Sequence, residues 1–209
     1  MSENEGQAQQ VEMLQVGFQG GVPSQLADLR SLISDFTFAQ KCATVYLNLG
    51  LLKVDEDSRK LMSEALWTSA AIAYRRGFTT GKAQLVPQGS RLKIPEGWYE
   101  SLNPEYKEAH DEILEIANRQ IAHHTGKGDH FNVLAFLAPP PFPRSIAGTA
   151  VLNASLVAPL DETLQQLGTL CQGLIDGLEA RFKEVSSSFD EYLASQDLDT
   201  LYDAANHGV

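Results

Sequence analysis

The stretch from Pro104 to His130, PEYKEAHDEILEIANRQIAHHTGKGDH, limits the choice of fold more than any other part of the chain. Its apolar residues Tyr106, Ala109, Ile113, Ile116, Ala117 and Ile121 recur at the spacing of an α-helix with one buried face. Glu108, Asp111, Glu112 and Glu115 fall on the opposite side. Asn103 is placed to cap this helix with Pro104 at its first position, and Gly126 suits a left-handed end. Such a helix needs other helices to cover its apolar stripe. It also carries four of the chain's five histidines, His110, His123, His124 and His130.

The covering elements are legible from the same periodicity. Pro23-Ser24 predicts a helix start with Ser24 as N-cap, and Leu26, Leu29, Leu32, Ile33, Phe36, Ala39, Ala43 and Leu47 carry that helix towards Leu52. A second helix is expected over about 57–78, where the small residues Thr68 to Ala71 predict close packing. Residues 79–103, with Gly81, Pro87, Gly89, Pro95 and Gly97, form a long connection. Asn132–Leu137 and Thr149–Val157 are short and β-tolerant, which predicts two strands. Leu160 to Val185 returns to helical spacing, and Ser186–Ser188 reads as a linker.

The expected fold class is therefore mainly α: an antiparallel helical bundle with a small β or irregular insertion at about 131–158 and an acidic C-terminal helical tail. The expected organisation is a flexible arm over 1–22, a helical domain over 23–185 and the tail over 186–209.

Composition narrows the function classes. Apolar residues make up 43% of the chain and charged residues 21%, the balance of a globular protein. Cys42 and Cys171 lie far apart and form no metal or redox spacing. No apolar run is long enough to cross a membrane, and MSENEGQAQQ lacks the features of a secretory signal; a cytoplasmic location is expected. The net charge of −11 argues against non-specific nucleic-acid binding, which pairs cations with phosphates. Charge is uneven, however. Tyr74 to Ile94 holds Arg75, Arg76, Lys82, Arg91 and Lys93 with no acid, beside Phe78, Trp98 and Tyr99. Such a mixture would hold a phosphate and stack a base, or would pin a long loop to the surface.

Three chemistries fit the histidine-rich helix. A histidine near its ordinary pKa can move a proton at neutral pH, and a nearby arginine can stabilise charge on a phosphoryl oxygen. Arg119 with His123 or His124 has this character. A metal could instead use His110, His123, His124, Asp129 and His130, but no histidine pair has the helical i, i+4 spacing and no cysteine assists, so no metal and no cofactor is assigned. In a purely structural reading the histidines cap a helix at the bundle edge, and Arg119 pairs with Glu115.

The helix end EILEIANRQIAHHTG resembles the motif of HEPN-domain proteins, and ALWTSAAIAYRRGFTTGK is similar to the preceding helix in the abortive-infection-like branch of that family. The likeness spans about 24–130. It implies an all-α domain that forms a homodimer and carries a metal-independent ribonuclease site, an arginine and a histidine with four to six residues between them. Aligning Ile121-Ala122-His123 with that branch's pattern puts Asn118 on its asparagine, Arg119 on its lysine and His123 on its histidine. Ala117 then stands where the arginine belongs. A shift of one position gives Arg119, four residues, then His124. The chain is either an active variant or a member that kept the fold without the site.

The resemblance thus implies RNA binding and metal-independent endoribonuclease activity in a defence or toxin–antitoxin setting. His124 or His123 would be the acid/base, Arg119 would face the phosphate and Asn118 would support it. Arg75, Arg76 and Lys82 would bind the RNA backbone. The alternative is an inactive module that binds a protein partner or nucleotide, with the acidic tail as the interaction segment.

Overall fold

A computed structural model describes residues 13–79, 94, 97–121, 130–154 and 159–207. The chain is mainly helical with one small two-stranded sheet. Its elements are α1 (Gly21–Leu47), α2 (Glu56–Arg76), the short α3 (Trp98–Ser101), α4 (Pro104–Glu115), a π-helical turn (Ile116–Ile121), β1 (His130–Leu137), β2 (Ile146–Ala154), α5 (Asp161–Ala194) and α6 (Leu198–His207). No described helix is long and apolar enough to cross a membrane.

α1 is central. It packs against α5 along most of its length and against α2 on another side. Leu29, Leu32, Ile33, Phe36, Ala39 and Ala43 form its buried stripe. The helix starts earlier than Ser24. Gly20 and Gly21 have φ of 74° and 50°, a left-handed entry that glycine adopts without strain, and Pro23 then falls in the first turn, where its missing N–H costs nothing. Ser24 is consequently a buried residue inside the helix rather than its cap.

Asp55 caps α2. Its carboxylate accepts from the Ser58 backbone N–H at 2.9 Å and from the Ser58 hydroxyl at 2.7 Å, and these bonds hold its pKa below the usual carboxylate value. Trp67, Ala70, Ala71, Ala73 and Tyr74 are buried, so the small residues do permit close approach to the core. Just beyond the helix, a Cβ on Gly77 would run into the ring of Phe36, which is fully buried and wedged against Tyr74 and Phe78. Gly77→Ala is therefore expected to cost about 1–3 kcal/mol through overpacking, read as a lower urea midpoint. Gly173→Ala in α5, where the added methyl meets nothing, is expected to stabilise by roughly 0.5–1 kcal/mol.

Two expectations about continuity are corrected. α5 runs unbroken through Ser186–Ser188, continuing to Ala194 with Val185 buried just before the serines; the Ser188 hydroxyl donates back to the Glu184 carbonyl at 3.2 Å. Past Leu178 its only further buried residue is Val185. There Phe189 receives the edge of Phe18 at 5.4 Å, so the end of the expected flexible arm rests on α5. The focal helix is also not uniform: its α-helical part stops at Glu115 and the backbone widens into the π turn. Gly126 lies outside the described residues.

The insertion is an antiparallel hairpin, with His130 opposite Ala154 and an irregularity after Phe136. Its strands begin two to three residues before the expected positions.

Candidate functional site

The end of α2, the start of α4 and the π turn meet at one corner of the core. α4 is set by its cap: the Asn103 side chain accepts from the Tyr106 N–H at 2.9 Å with Pro104 at the first position, as the sequence predicts. Ala109, His110 and Ile113 form its buried side, continued by Ile116 and Ala117 of the π turn. Among these His110 is the polar exception, only 6% exposed rather than at a bundle edge.

The His110 ring is enclosed by aromatic rings. Phe78 lies 4.6 Å away centroid to centroid, Trp98 5.4 Å, Tyr99 5.4 Å and Tyr74 5.8 Å. The Tyr74 hydroxyl and His110 Nδ1 are 2.8 Å apart. With the hydroxyl donating to Nδ1 the ring proton resides on Nε2, an arrangement that leaves no buried hydroxyl proton unused. Burial pushes the Tyr74 phenol pKa up, so it stays a donor. Burial also pushes the His110 pKa below its ordinary value, with the Asp111 carboxylate opposing the shift. His110 is therefore a neutral, anchored imidazole.

Outside this ring lies a shallow cleft of about 270 Å³ bordered by Phe78, Ile94, Gly97, Trp98, Tyr99, Glu100 and His110. Gly97, with φ of 86°, turns the chain into α3 so that Trp98 and Tyr99 both reach His110. Tyr99 is fixed by donating to Asp111 Oδ2 at 2.8 Å, which also raises its pKa, and Lys107 Nζ lies 5.5 Å from its ring centre. The volume suits one planar ring rather than a larger ligand.

Arg75 follows Tyr74 on α2 and is half-buried. Its Nε donates to the Asn118 side-chain oxygen on the π turn. Arg75, expected from sequence to contact the RNA backbone, and Asn118, expected to support the catalytic pair, are thus brought together across a separation of 43 positions. Arg76 is placed differently: its guanidinium pairs with Asp35 of α1 at 3.3 Å, a bridge worth about 0–1 kcal/mol at this exposure. His123, His124 and Lys82 lie outside the described residues, as does the side chain of Arg119. Of the residues weighed as metal ligands, His110 has its Nδ1 engaged by Tyr74. Among the described residues no group of three or more His, Cys, Asp or Glu side chains is arranged to hold a metal.

Sequence reasoning assigned His110 no role in the site it favoured. The available signal was its position three residues before Ile113 and seven before Ala117, on the buried strip of the helix. The π turn had no comparable sequence signature. Comparison of the chain with protein-family models, curated proteins and solved structures finds no match.

Proposed function

We propose that the protein binds single-stranded RNA at the corner formed by α2, α3 and the π turn, and that its fold is an antiparallel bundle of the HEPN type. The observation that carries this reading is the joining of Arg75 to Asn118 one residue after Tyr74, whose hydroxyl anchors the aromatic cleft. A cation and a base-sized aromatic platform then sit within one turn of α2. Guanidinium groups hold phosphates and aromatic faces stack bases, each without reading sequence. π turns are frequent at functional sites, because the widened backbone re-aims the side chains it carries.

Cleavage is the activity proposed for this site, with Arg119 and His124 (or His123) as its chemical groups. The histidine takes the proton of a 2′-hydroxyl, the 2′-oxygen attacks the adjacent phosphorus to form a 2′,3′-cyclic phosphate, and the bond from phosphorus to the 5′-oxygen breaks as that oxygen takes up a proton from water. Arg119 stabilises the charge on the phosphoryl oxygens. No metal takes part. Asn118, held by Arg75, supports this geometry, and the protein would act as a cytoplasmic homodimer.

One observation favours a second reading. Ala117, which takes the arginine's place in the first alignment, is fully buried. An arginine there would have to enter the core, so that register offers no surface site. The module would then bind RNA, a nucleotide or a protein partner without cleaving.

RNA binding is tested by titrating a labelled single-stranded oligonucleotide at stated salt. Trp98→Ala is expected to weaken binding by the roughly 1–3 kcal/mol of a lost base stack, and Arg75→Ala to weaken it and flatten the salt dependence. Equal affinity in wild type and both variants would remove the site from this corner.

A further inference from the structure

The hairpin reverses the rule that governs the helices, because its apolar side chains face out. Opposed residues of an antiparallel pair project from one face. The register therefore puts Val133 with Val151, and Leu137 with Ile146, on a single face. These four residues are 74%, 65%, 69% and 71% exposed in the order named. Leu134, Phe136 and Leu152 on the other face and Phe142 near the tip are exposed as well. Among the described residues the strands pack chiefly on each other and not on a helix.

At roughly 150 Å² per large side chain, the exposed part of the four residues on that one face comes to about 400 Å². Two copies joined there bury about 800 Å² in total, the size of a weak, concentration-dependent contact rather than of a standard interface of ~1,600 Å². A lone two-stranded hairpin is marginal in water, and neither strand carries the lysine, glutamate or proline that blunts a free edge.

We propose that this hairpin is the docking surface for a second copy of the chain, hairpin on hairpin about a two-fold axis, with Val133, Val151, Leu137 and Ile146 meeting their counterparts. Charge selects a second copy as the occupant. At a net charge of −11, two copies repel wherever their carboxylates approach. Residues 131–160 contain no Asp or Glu and only Arg144 as a cation, so like can meet like there without that repulsion. A basic partner would be drawn instead to the acid-rich α5 and α6. A two-fold contact brings the same patch of both copies together, and an uncharged apolar face can meet itself without repulsion. The inference does not rest on RNA binding: the dimer and the RNA corner use different residues and fail separately.

Sedimentation equilibrium of the full chain over a concentration series is expected to give a mass that rises towards twice the 22.9 kDa chain mass. The double variant Val133→Glu/Val151→Glu is expected to give the single mass with an unchanged helical circular-dichroism spectrum, since both positions are exposed. Thr149 lies on the same face, so Thr149→Cys is expected to form a disulfide-linked dimer on air oxidation while Lys60→Cys on α2 does not. The native Cys42 and Cys171 are buried and do not compete. A monomeric wild type overturns the proposal, whether or not it floats with phosphatidylglycerol vesicles as a lipid-binding arm would. A dimer left intact by both glutamates overturns it too. Should the double variant misfold, a Thr149→Cys chain that stays uncrosslinked has the same force.

Discussion

His110→Ala is expected to cost about 3 kcal/mol of folding stability, from two coupled sources. Removing a buried ring leaves a cavity among Phe78, Trp98, Tyr99 and Tyr74, whose packing cannot fully close it. It also strands the Tyr74 hydroxyl, itself buried, without the Nδ1 acceptor it bonds at 2.8 Å; an unsatisfied buried hydroxyl costs roughly 1–3 kcal/mol. Tyr74→Phe removes the hydroxyl but keeps the rings, so its expected cost is smaller, about 1–2 kcal/mol, mostly the orphaned Nδ1. Urea unfolding of the two variants beside wild type measures both. Equal midpoints for His110→Ala and wild type would mean that the aromatic ring around His110 does not pack as described.

The same group sets a pH dependence with a definite sign. Burial lowers the pKa of His110 in the folded chain, so the unfolded chain takes up the proton first as pH falls. The stabilising contribution of His110 is complete above its ordinary unfolded pKa of roughly 6.5. It is lost progressively as pH falls from there towards the lowered folded value, and it is constant below that. The stability gap between wild type and His110→Gln is therefore expected to narrow between mildly alkaline and acidic pH. A gap that widens on acidification would require a folded His110 that prefers its charged form, against its aromatic surroundings.

Much of the helical frame was legible because burial leaves a repeat. The stripe Leu29, Leu32, Phe36, Ala39, Ala43 in α1 and the leucines of α5 announce their partners without a structure. Asn103 and Pro104 announce the start of α4. What periodicity does not encode is where a helix tolerates residues of poor propensity. Ser186–Ser188 looked like a linker, yet the hydroxyl of Ser188 bonds back one turn and the helix continues. Nor does it encode changes in helical pitch. The π turn at Ile116–Ile121 contains no residue type that marks it in the sequence. The pairing of Arg75 with Asn118 was out of reach for a related reason. A contact between residues 43 positions apart exists only once two helices are placed side by side. The hairpin was visible as two apolar runs, but its exposure was not, because an apolar strand in a sequence looks the same whether it faces a core or solvent.

For the candidate site, the sequence identified residue types and their neighbourhood while misjudging His110. The histidine with a described environment is a structural anchor for the aromatic cleft. The catalytic chemistry is proposed for Arg119 with His123 or His124. If they act as proposed, replacing Arg119 and His124 together removes both the phosphate-stabilising cation and the proton carrier. General acid–base catalysis and charge stabilisation are each worth about two to four orders of magnitude or less, so the double variant should fall to background.

The deciding measurement is cleavage of a mixed single-stranded RNA by the purified full chain, with and without a metal chelator, beside the Arg119→Ala/His124→Ala variant. The predicted result is cleavage by wild type at the same rate in both conditions, with products ending in a 2′,3′-cyclic phosphate, and none above background from the variant. Wild type that binds the RNA yet leaves it whole, or a variant that cleaves as fast as wild type, would contradict the catalytic assignment.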